Sequence, residues 1–216
     1  MYTLAEENYL KAIYKLSMIA ESVSTNQIAA ELATKASSVT DMLRKLAEKL
    51  LINYTRYQGV TLTKTGEKVA VNIIRRHRLW EYFLVEKLNF KWDEVHEMAE
   101  EMEHISSNEL IDRLDAFMGF PTRDPHGDPI PDSNGNFKKN DLKPISAIAV
   151  NASGTISGVR EHSSAFLQYL EKQGLTIGKR VTVKEIIKYD NAVILDIDNK
   201  EIQISRDVAN NLLIAL

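Results

Sequence analysis

Two short runs in this chain carry the residues best suited to chemistry. His77-Arg78-Leu79-Trp80-Glu81 sets an imidazole and a carboxylate four residues apart, and Val95-His96-Glu97-Met98-Ala99-Glu100-Glu101-Met102-Glu103-His104 sets two imidazoles among carboxylates. Residues four apart share a face of a helix. At about 100° per residue, with His96 at zero, Glu100 falls near 40° (roughly), Glu103 near about −20° and His104 near about 80°. Val95, Ala99, Met102, Met98 and Ile105 fall on a separate stripe. Such a helix has one side for the core and a neighbouring side that gathers N and O donors. A solvated acidic face satisfies the spacing of any single pair. Two constellations on what read as adjacent antiparallel helices make a divalent-metal site an equal reading, and imidazole with carboxylate suits Mn, Fe, Co or Zn.

The rest of the chain must position these donors. Its 216 residues leave room for two or three small domains. The absence of Cys excludes disulfides, thiolate metal sites and a Cys nucleophile, and makes a reducing, cytoplasmic setting the expectation. No apolar run reaches the roughly eighteen residues that span a bilayer, and the N-terminus does not read as a signal peptide, so no membrane association is expected. The formal net charge of −3 is unevenly spread. Residues 1–75 carry 10 basic against 7 acidic side chains, and residues 76–120 carry 5 against 11. A basic first part joined to an acidic middle suits a nucleic-acid reader attached to a cation binder.

Leu4 to Ile19 reads as an amphipathic helix with Leu4, Leu10, Ile13, Tyr14 and Leu16 inward. A short helix follows from Thr25 to Leu32, then a turn, Ala33-Thr34-Lys35-Ala36. A second helix runs to Leu51, with Ser37 or Ser38 as its expected cap. That is the helix-turn-helix pattern. Ile52 to Thr63 alternates around Arg56-Tyr57-Gln58-Gly59 and predicts a hairpin, the wing. In this placement Lys35, Ser37, Ser38, Thr40 and Asp41 reach base edges or phosphates of double-stranded DNA. Arg44 and Lys45 reach the backbone, and Arg56 and Tyr57 the backbone or minor groove.

Three helices are expected over residues 68–119: Lys68 to Leu88, Trp92 to Ile105, and Ser107 to Met118. Leu79, Phe83, Leu84, Leu88, Leu110, Ile111, Leu114 and Phe117 exceed what a lone acidic hairpin needs and predict a homodimer. Pro121 to Pro144 is rich in Pro, Gly, Asn and Asp and reads as a linker, with His126 structural or solvated. From Ser146 the pattern turns strand-like, interrupted by a helix from Ser163 to Gln173, with turns at Asp190-Asn191 and Asp198-Asn199. The expected fold is mainly α with a small β domain. It comprises a winged helix-turn-helix (1–72), a helical metal-binding and dimerisation domain (73–120), a linker (121–145) and an SH3-like barrel (146–216).

These residues resemble the diphtheria-toxin-repressor family of metal-dependent transcriptional regulators. The resemblance covers the whole chain. It rests on Glu7-Asn8-Tyr9-Leu10-Lys11-Ala12-Ile13-Tyr14, Ser37-Ser38-Val39-Thr40, Arg76-His77-Arg78-Leu79-Trp80-Glu81, the Val95 to His104 run and Pro125-His126-Gly127-Asp128-Pro129-Ile130-Pro131. The tail is similar to the SH3-like domain related to ferrous-iron transport A proteins. The resemblance implies a regulatory metal position at Asn8, Glu100, Glu103 and His104. It also implies an ancillary one at His77, Glu81 and His96, completed from Glu161 or His162. Glu100 stands where iron-type members place Cys, which is the manganese-type pattern. Mn(II) is therefore favoured over Fe(II), with other divalent transition metals able to substitute. Asn8 stands where the family usually has Asp or Met. Lys11 replaces a Glu that two-domain manganese regulators use, which argues against their bridged two-metal core.

The implied function is a metal-activated repressor of metal-homeostasis genes, with no small-molecule substrate. The enzyme alternative is a metallohydrolase. His96-Glu97 begins like a zinc-peptidase helix, but Glu100 stands where the second His is needed, and no Ser/His/Asp arrangement appears. A metal-storage or adaptor protein would need the metal face without the helix-turn-helix. A constitutive DNA binder would use the metal for stability alone.

Overall fold

The computed structural model describes residues 2–55, 58–138 and 141–216. Helix α1 (Leu4–Ser17) starts at a capping box. Thr3 Oγ1 accepts the Glu6 N–H, and the Glu6 carboxylate accepts the Thr3 N–H. Ser24 and Gln27 cap α2 (Thr25–Glu31) in the same way. Ala33, at φ 47°, then turns the chain, and the Thr34 N–H bonds to the Ala29 carbonyl. Helix α3 (Ala36–Glu48) therefore begins earlier than expected. Its N-cap is Lys35, without a side-chain cap bond, and Ser37 and Ser38 lie exposed in its first turn.

Strands β1 (Ile52–Thr55) and β2 (Gly59–Leu62) pair antiparallel, Ile52 opposite Leu62 and Thr55 opposite Gly59. Gly59 takes φ +90°, which only glycine adopts freely. Leu10, Ile13, Ile28, Val39, Leu43, Leu46, Leu51, Ile52 and Val60 form the core beneath the hairpin. Leu4, expected inside, is 60% exposed because it occupies the first turn, before the helix meets that core.

Helix α4 (Lys64–Leu88) is the longest, and α5 (Val95–Met102) and α6 (Asn108–Phe117) follow. The α5 helix is shorter than its periodicity suggests. The Glu94 N–H bonds to Lys91 O in a turn before it, and the Ile105 N–H bonds to Met102 O in a turn after it. Glu103 and His104 therefore leave the helix, and the smooth arc predicted for all four donors does not extend to them. Leu79, Leu84, Ile111 and Leu114, expected at a dimer face, are already buried within one chain, while Leu88, Leu110 and Phe117 stay exposed.

By contact the chain falls into two compact units. One comprises Met1–His77, Glu100–Arg113 and Pro131–Asn136, the other Arg78–Ala99, Leu114–Ile130 and Phe137–Leu216. The second unit holds an antiparallel sheet of β3 (Lys143–Pro144), β4 (Ser153–Val159), β5 (Arg180–Ile186), β6 (Val193–Ile197), β7 (Lys200–Ile204) and β8 (Leu212–Ala215). Their spatial order is β3-β8-β4-β5-β6-β7. Asp198 and Asn199, both at positive φ, join the paired residues Ile197 and Lys200 in a two-residue hairpin turn. Helix α7 (Ser164–Gln173) is capped by Ser163, and a further helix, α8 (Arg206–Asn211), leads into β8. Ile156, Leu167, Leu170, Val181, Val183 and Leu195 form the core of this unit, and Trp92 packs against it. No described helix is long and apolar enough to cross a membrane.

Gly127 fixes the loop of greatest consequence. It takes φ +88°, and a Cβ there would lie 2.1 Å from Ser157 O and 2.4 Å from Gly158 Cα. The preceding His126 carbonyl accepts the Val159 N–H at 2.9 Å, so the loop is stitched to β4. Gly127→Ala is expected to cost about 2 kcal/mol or more from backbone strain and contact. A fall in melting temperature of about 5 °C or more follows for a chain of this size. An unchanged thermal transition would show that the loop yields freely.

Candidate metal centre

In the first unit, α1 meets the Glu103-His104 turn through buried polar groups. Lys11 Nζ donates to Glu103 Oε2 at 2.6 Å, and His77 Nδ1 lies 2.7 Å from the same oxygen. His104 Nδ1 lies 2.6 Å from Glu7 Oε2, and Arg76 Nη2 donates to Glu7 Oε1 at 3.1 Å. Glu103 is 1% exposed. Burial works against its ionised form, but the hydrogen bond and charge of His77 and the charge of Lys11 outweigh it and hold the carboxyl below its usual range.

This arrangement meets a basic requirement of a cation site. Glu103 Oε1 is buried without a hydrogen-bond partner and lies 3.8 Å from His104 Nε2. Two lone-pair donors face each other across a gap too long for a hydrogen bond, and Glu103 and His104 are residues that would hold a divalent ion. Glu7, by binding the other ring nitrogen, fixes the imidazole so that Nε2 is the donor left over. Asn8, Lys11 and Glu100 line an adjoining cleft of about 330 Å³ with Lys15 and Glu31. Glu100 does not converge with Glu103 and His104: their donor atoms do not all lie within 4.8 Å of one another. Lys11 Nζ stands by both carboxylates, 3.4 Å from Glu100 Oε1. Glu7→Gln is expected to retain the fold and weaken divalent-ion binding at His104 about 10-fold or more. Titration with Mn²⁺ by calorimetry checks this, and equal affinity would remove Glu7 from the site.

The second unit holds another cluster. Glu81 Oε1 lies 3.2 Å from His96 Nδ1, and its Oε2 lies 3.6 Å from His126 Nδ1. Glu81, Asp124 and His126 are all buried, with donor atoms within 4.8 Å of one another. His126 is 1% exposed rather than solvated. Its Nε2–H donates to the Trp92 carbonyl at 2.8 Å, and Nδ1 points at the carboxylates without a hydrogen bond. A ring held by a backbone carbonyl at one nitrogen and open at the other has the form of a metal ligand. Burial, then the charge of Glu81, pushes the Asp124 carboxyl up to about 7. For His126, burial opposes the charged ring, but the Glu81 carboxylate 3.6 Å away and the charge of Asp124 prevail, to about 9. Arg78 Nε stands 3.6 Å from Asp124 Oδ2 beside this cluster, and two carboxylates with one imidazole are donor types that suit a divalent ion.

His77 and Glu81 stand one turn apart on α4, and His77 Nδ1 also lies 2.7 Å from Glu103 Oε2. The His162 ring stacks on His126 at 4.9 Å, with Nε2 4.0 Å from Asp128 Oδ2, and burial lowers its pKa. Glu161 is exposed and accepts the Ser163 N–H at 2.9 Å. Asp124 and His126 were missed as donors because the Pro-rich segment reads as a linker. The available signal was Gly127, whose forced turn sets His126 inward.

At the helix-turn-helix, Lys35, Ser37, Ser38, Asp41, Arg44 and Lys45 are exposed. Thr40 is half-buried, and its hydroxyl donates to the Ala36 carbonyl at 3.0 Å. Arg44 and Asp41 pair at 3.4 Å. Arg56 and Tyr57 lie outside the described residues.

Comparison with known proteins accounts for this combination. Residues 1–60 match the iron dependent repressor N-terminal DNA binding domain. Residues 63–132 match the iron dependent repressor metal binding and dimerisation domain, and residues 143–216 the FeoA domain. The HTH-type transcriptional regulator MntR of Bacillus pumilus is 32% identical over 120 residues, 56% of this chain and 83% of that protein. The iron-dependent repressor IdeR of Mycobacterium tuberculosis is 31% identical over 125 residues, 58% of this chain and 54% of its own length, so the match spans about half of that relative. A solved structure described as a manganese-dependent transcriptional repressor complex with manganese superposes with a TM-score of 0.87 at 33% identity, covering 97% of this chain and 99% of that one. The chain belongs to the diphtheria-toxin-repressor family of metal-dependent transcriptional repressors, which are DNA-binding proteins and not enzymes.

Proposed function

We propose that this protein represses metal-homeostasis genes when a divalent ion, Mn(II) in preference to Fe(II), joins its DNA-reading head to its metal-binding helices. The observation that carries the reading is the buried junction between α1 and the Glu103-His104 turn. There Glu103 Oε1 is left without a partner 3.8 Å from His104 Nε2. Asn8, Glu100, Glu103 and His104 would hold the regulatory ion. His77, Glu81 and His96 would hold the ancillary one, with Asp124 and His126 added from the buried cluster and Glu161 or His162 at its edge. When bound, the ion would supply a positive charge to these oxygen and nitrogen donors.

The chain's own residues do the remaining work. Glu7 orients His104 and, through Arg76, is tied to α4. The hard oxygen of Glu100 and the lack of any Cys support Mn(II). Residues 1–72 act as the reader, and the exposed start of α3 presents Lys35, Ser37, Ser38, Thr40 and Asp41 to the major groove. Arg44, Lys45, Arg56 and Tyr57 act on the phosphates or the minor groove. Leu110 and Phe117, two turns apart and exposed on α6, support pairing with a second copy, which matches the two-fold symmetry of an operator. Residues 73–120 carry the metal and dimer functions, and 146–216 the SH3-like tail.

The test is a titration of native promoter DNA with metal-free protein, with and without Mn²⁺ or anaerobic Fe²⁺. Binding that requires metal supports the reading. Equal binding throughout would leave a constitutive DNA binder with structural metal.

A further inference from the structure

Lys11 is only 5% exposed, and its ammonium is placed between two carboxylates assigned above to the regulatory ion. It donates to Glu103 Oε2 at 2.6 Å and to Glu100 Oε1 at 3.4 Å. A buried ammonium is tolerated only where negative charge compensates it. Here the compensating charge is the same charge that a divalent cation would use. We propose that Lys11 is a tethered competitor of the regulatory ion. It is a cation built into α1 that partly neutralises the Glu100–Glu103 pair and sets the ion concentration at which the protein responds.

Three observations converge on this role. Glu100, Glu103 and His104 do not gather their donor atoms within 4.8 Å of one another, and Lys11 is the group standing by both carboxylates. Glu103 gives one oxygen to Lys11 and keeps the other, Oε1, without a partner beside His104. The same carboxylate thus answers to two cations, one covalently attached and one dissolved. Lys11 also spans 92 residues of sequence to reach Glu103, so its bond ties α1 to the distant turn. A fixed positive charge this close repels any divalent ion, whichever metal it is. The residue therefore tunes the threshold of the response rather than the choice between Mn²⁺ and Fe²⁺.

The inference rests on the regulatory site proposed above, and the experiment separates the two. Mn²⁺ affinity of the full chain is measured by calorimetry, with the free ion followed by electron paramagnetic resonance, for wild type, Glu103→Gln, Lys11→Met and Lys11→Arg. If Glu103→Gln binds Mn²⁺ as wild type does, the regulatory-site reading fails regardless of Lys11. With that site established, Lys11→Met is expected to bind Mn²⁺ about ten-fold or more tightly, from removal of one nearby charge. Lys11→Arg should stay near wild type, and the Mn²⁺ level that half-saturates operator binding should fall by the same factor in Lys11→Met. Unchanged or weaker Mn²⁺ binding in a folded Lys11→Met protein overturns the proposal, because a merely supporting role predicts that result. Should the Met variant lose its folded circular-dichroism signal, Lys11→Gln, which keeps an N–H donor toward Glu103, decides by the same two outcomes.

Discussion

Glu103→Gln is expected to abolish metal-dependent operator binding and to destabilise the metal-free protein. The substitution keeps the shape of the side chain and removes its charge. Glu103 is 1% exposed, and its Oε2 receives Lys11 at 2.6 Å and His77 at 2.7 Å. With an amide in its place, the Lys11 ammonium remains buried beside only the more distant Glu100 carboxylate. Stranding one member of a buried ion pair costs about 3–5 kcal/mol, or roughly 10 °C in melting temperature for a chain of this length. The unpartnered Oε1 facing His104 also loses its anionic character. Operator affinity in saturating Mn²⁺ should then equal that of the metal-free protein. A variant that retained the full response to Mn²⁺ would exclude Glu103 as a ligand. Combining Lys11→Met with Glu103→Gln should recover part of the lost stability, since the two residues are in direct contact and their effects are not additive.

The second large effect is one of pH. His126 is buried with a pKa raised from 6.5 to about 9. Its contribution to stability is complete below pH 6.5 and disappears as pH rises through 9. Asp124, raised from 3.8 to about 7, acts in the same direction at lower pH: the folded chain favours its proton, and that advantage fades as pH rises toward 7. His162, lowered by burial, acts oppositely but only below its ordinary 6.5. Between pH 6.5 and 9 the metal-free protein should therefore lose stability, on the order of 3 kcal/mol from His126. His126→Gln, whose amide still donates to the Trp92 carbonyl, should flatten that slope. Mn²⁺ reverses the trend. Binding at Glu81, Asp124 and His126 requires the carboxylate and the neutral ring, so affinity should rise across the same window with release of protons. Denaturation at several pH values, with and without Mn²⁺, together with proton release in weak buffer, measures both halves. An Mn²⁺ affinity independent of pH would place the ion elsewhere.

Much of this architecture was legible because it is local. The short helix from Thr25, the turn at Ala33 and the following amphipathic helix are set within a few residues of one another, as is the Asp198-Asn199 hairpin. The one-turn spacing of His77 and Glu81 is likewise a property of the chain itself. Local signals also misled where ends mattered. Periodicity carried α5 on to Ile105, whereas the helix stops at Met102 and its last two donors stand in a turn. A helical pattern in sequence persists beyond the point where the backbone leaves the helix, because the pattern encodes burial rather than hydrogen bonding.

By itself the sequence determined the succession of elements, the winged helix-turn-helix and the family, and it offered the candidate donors on α4 and α5. Tertiary structure alone decided which groups answer those donors. Lys11 and Glu103 are 92 residues apart, and Glu7 and His104 are 97 apart. Folding brought Asp124 and His126, from a segment that reads as linker, to Glu81. Spacing along a helix fixes which side chains share a face. The charge that faces them comes from other segments, and only the packing of those segments can supply it.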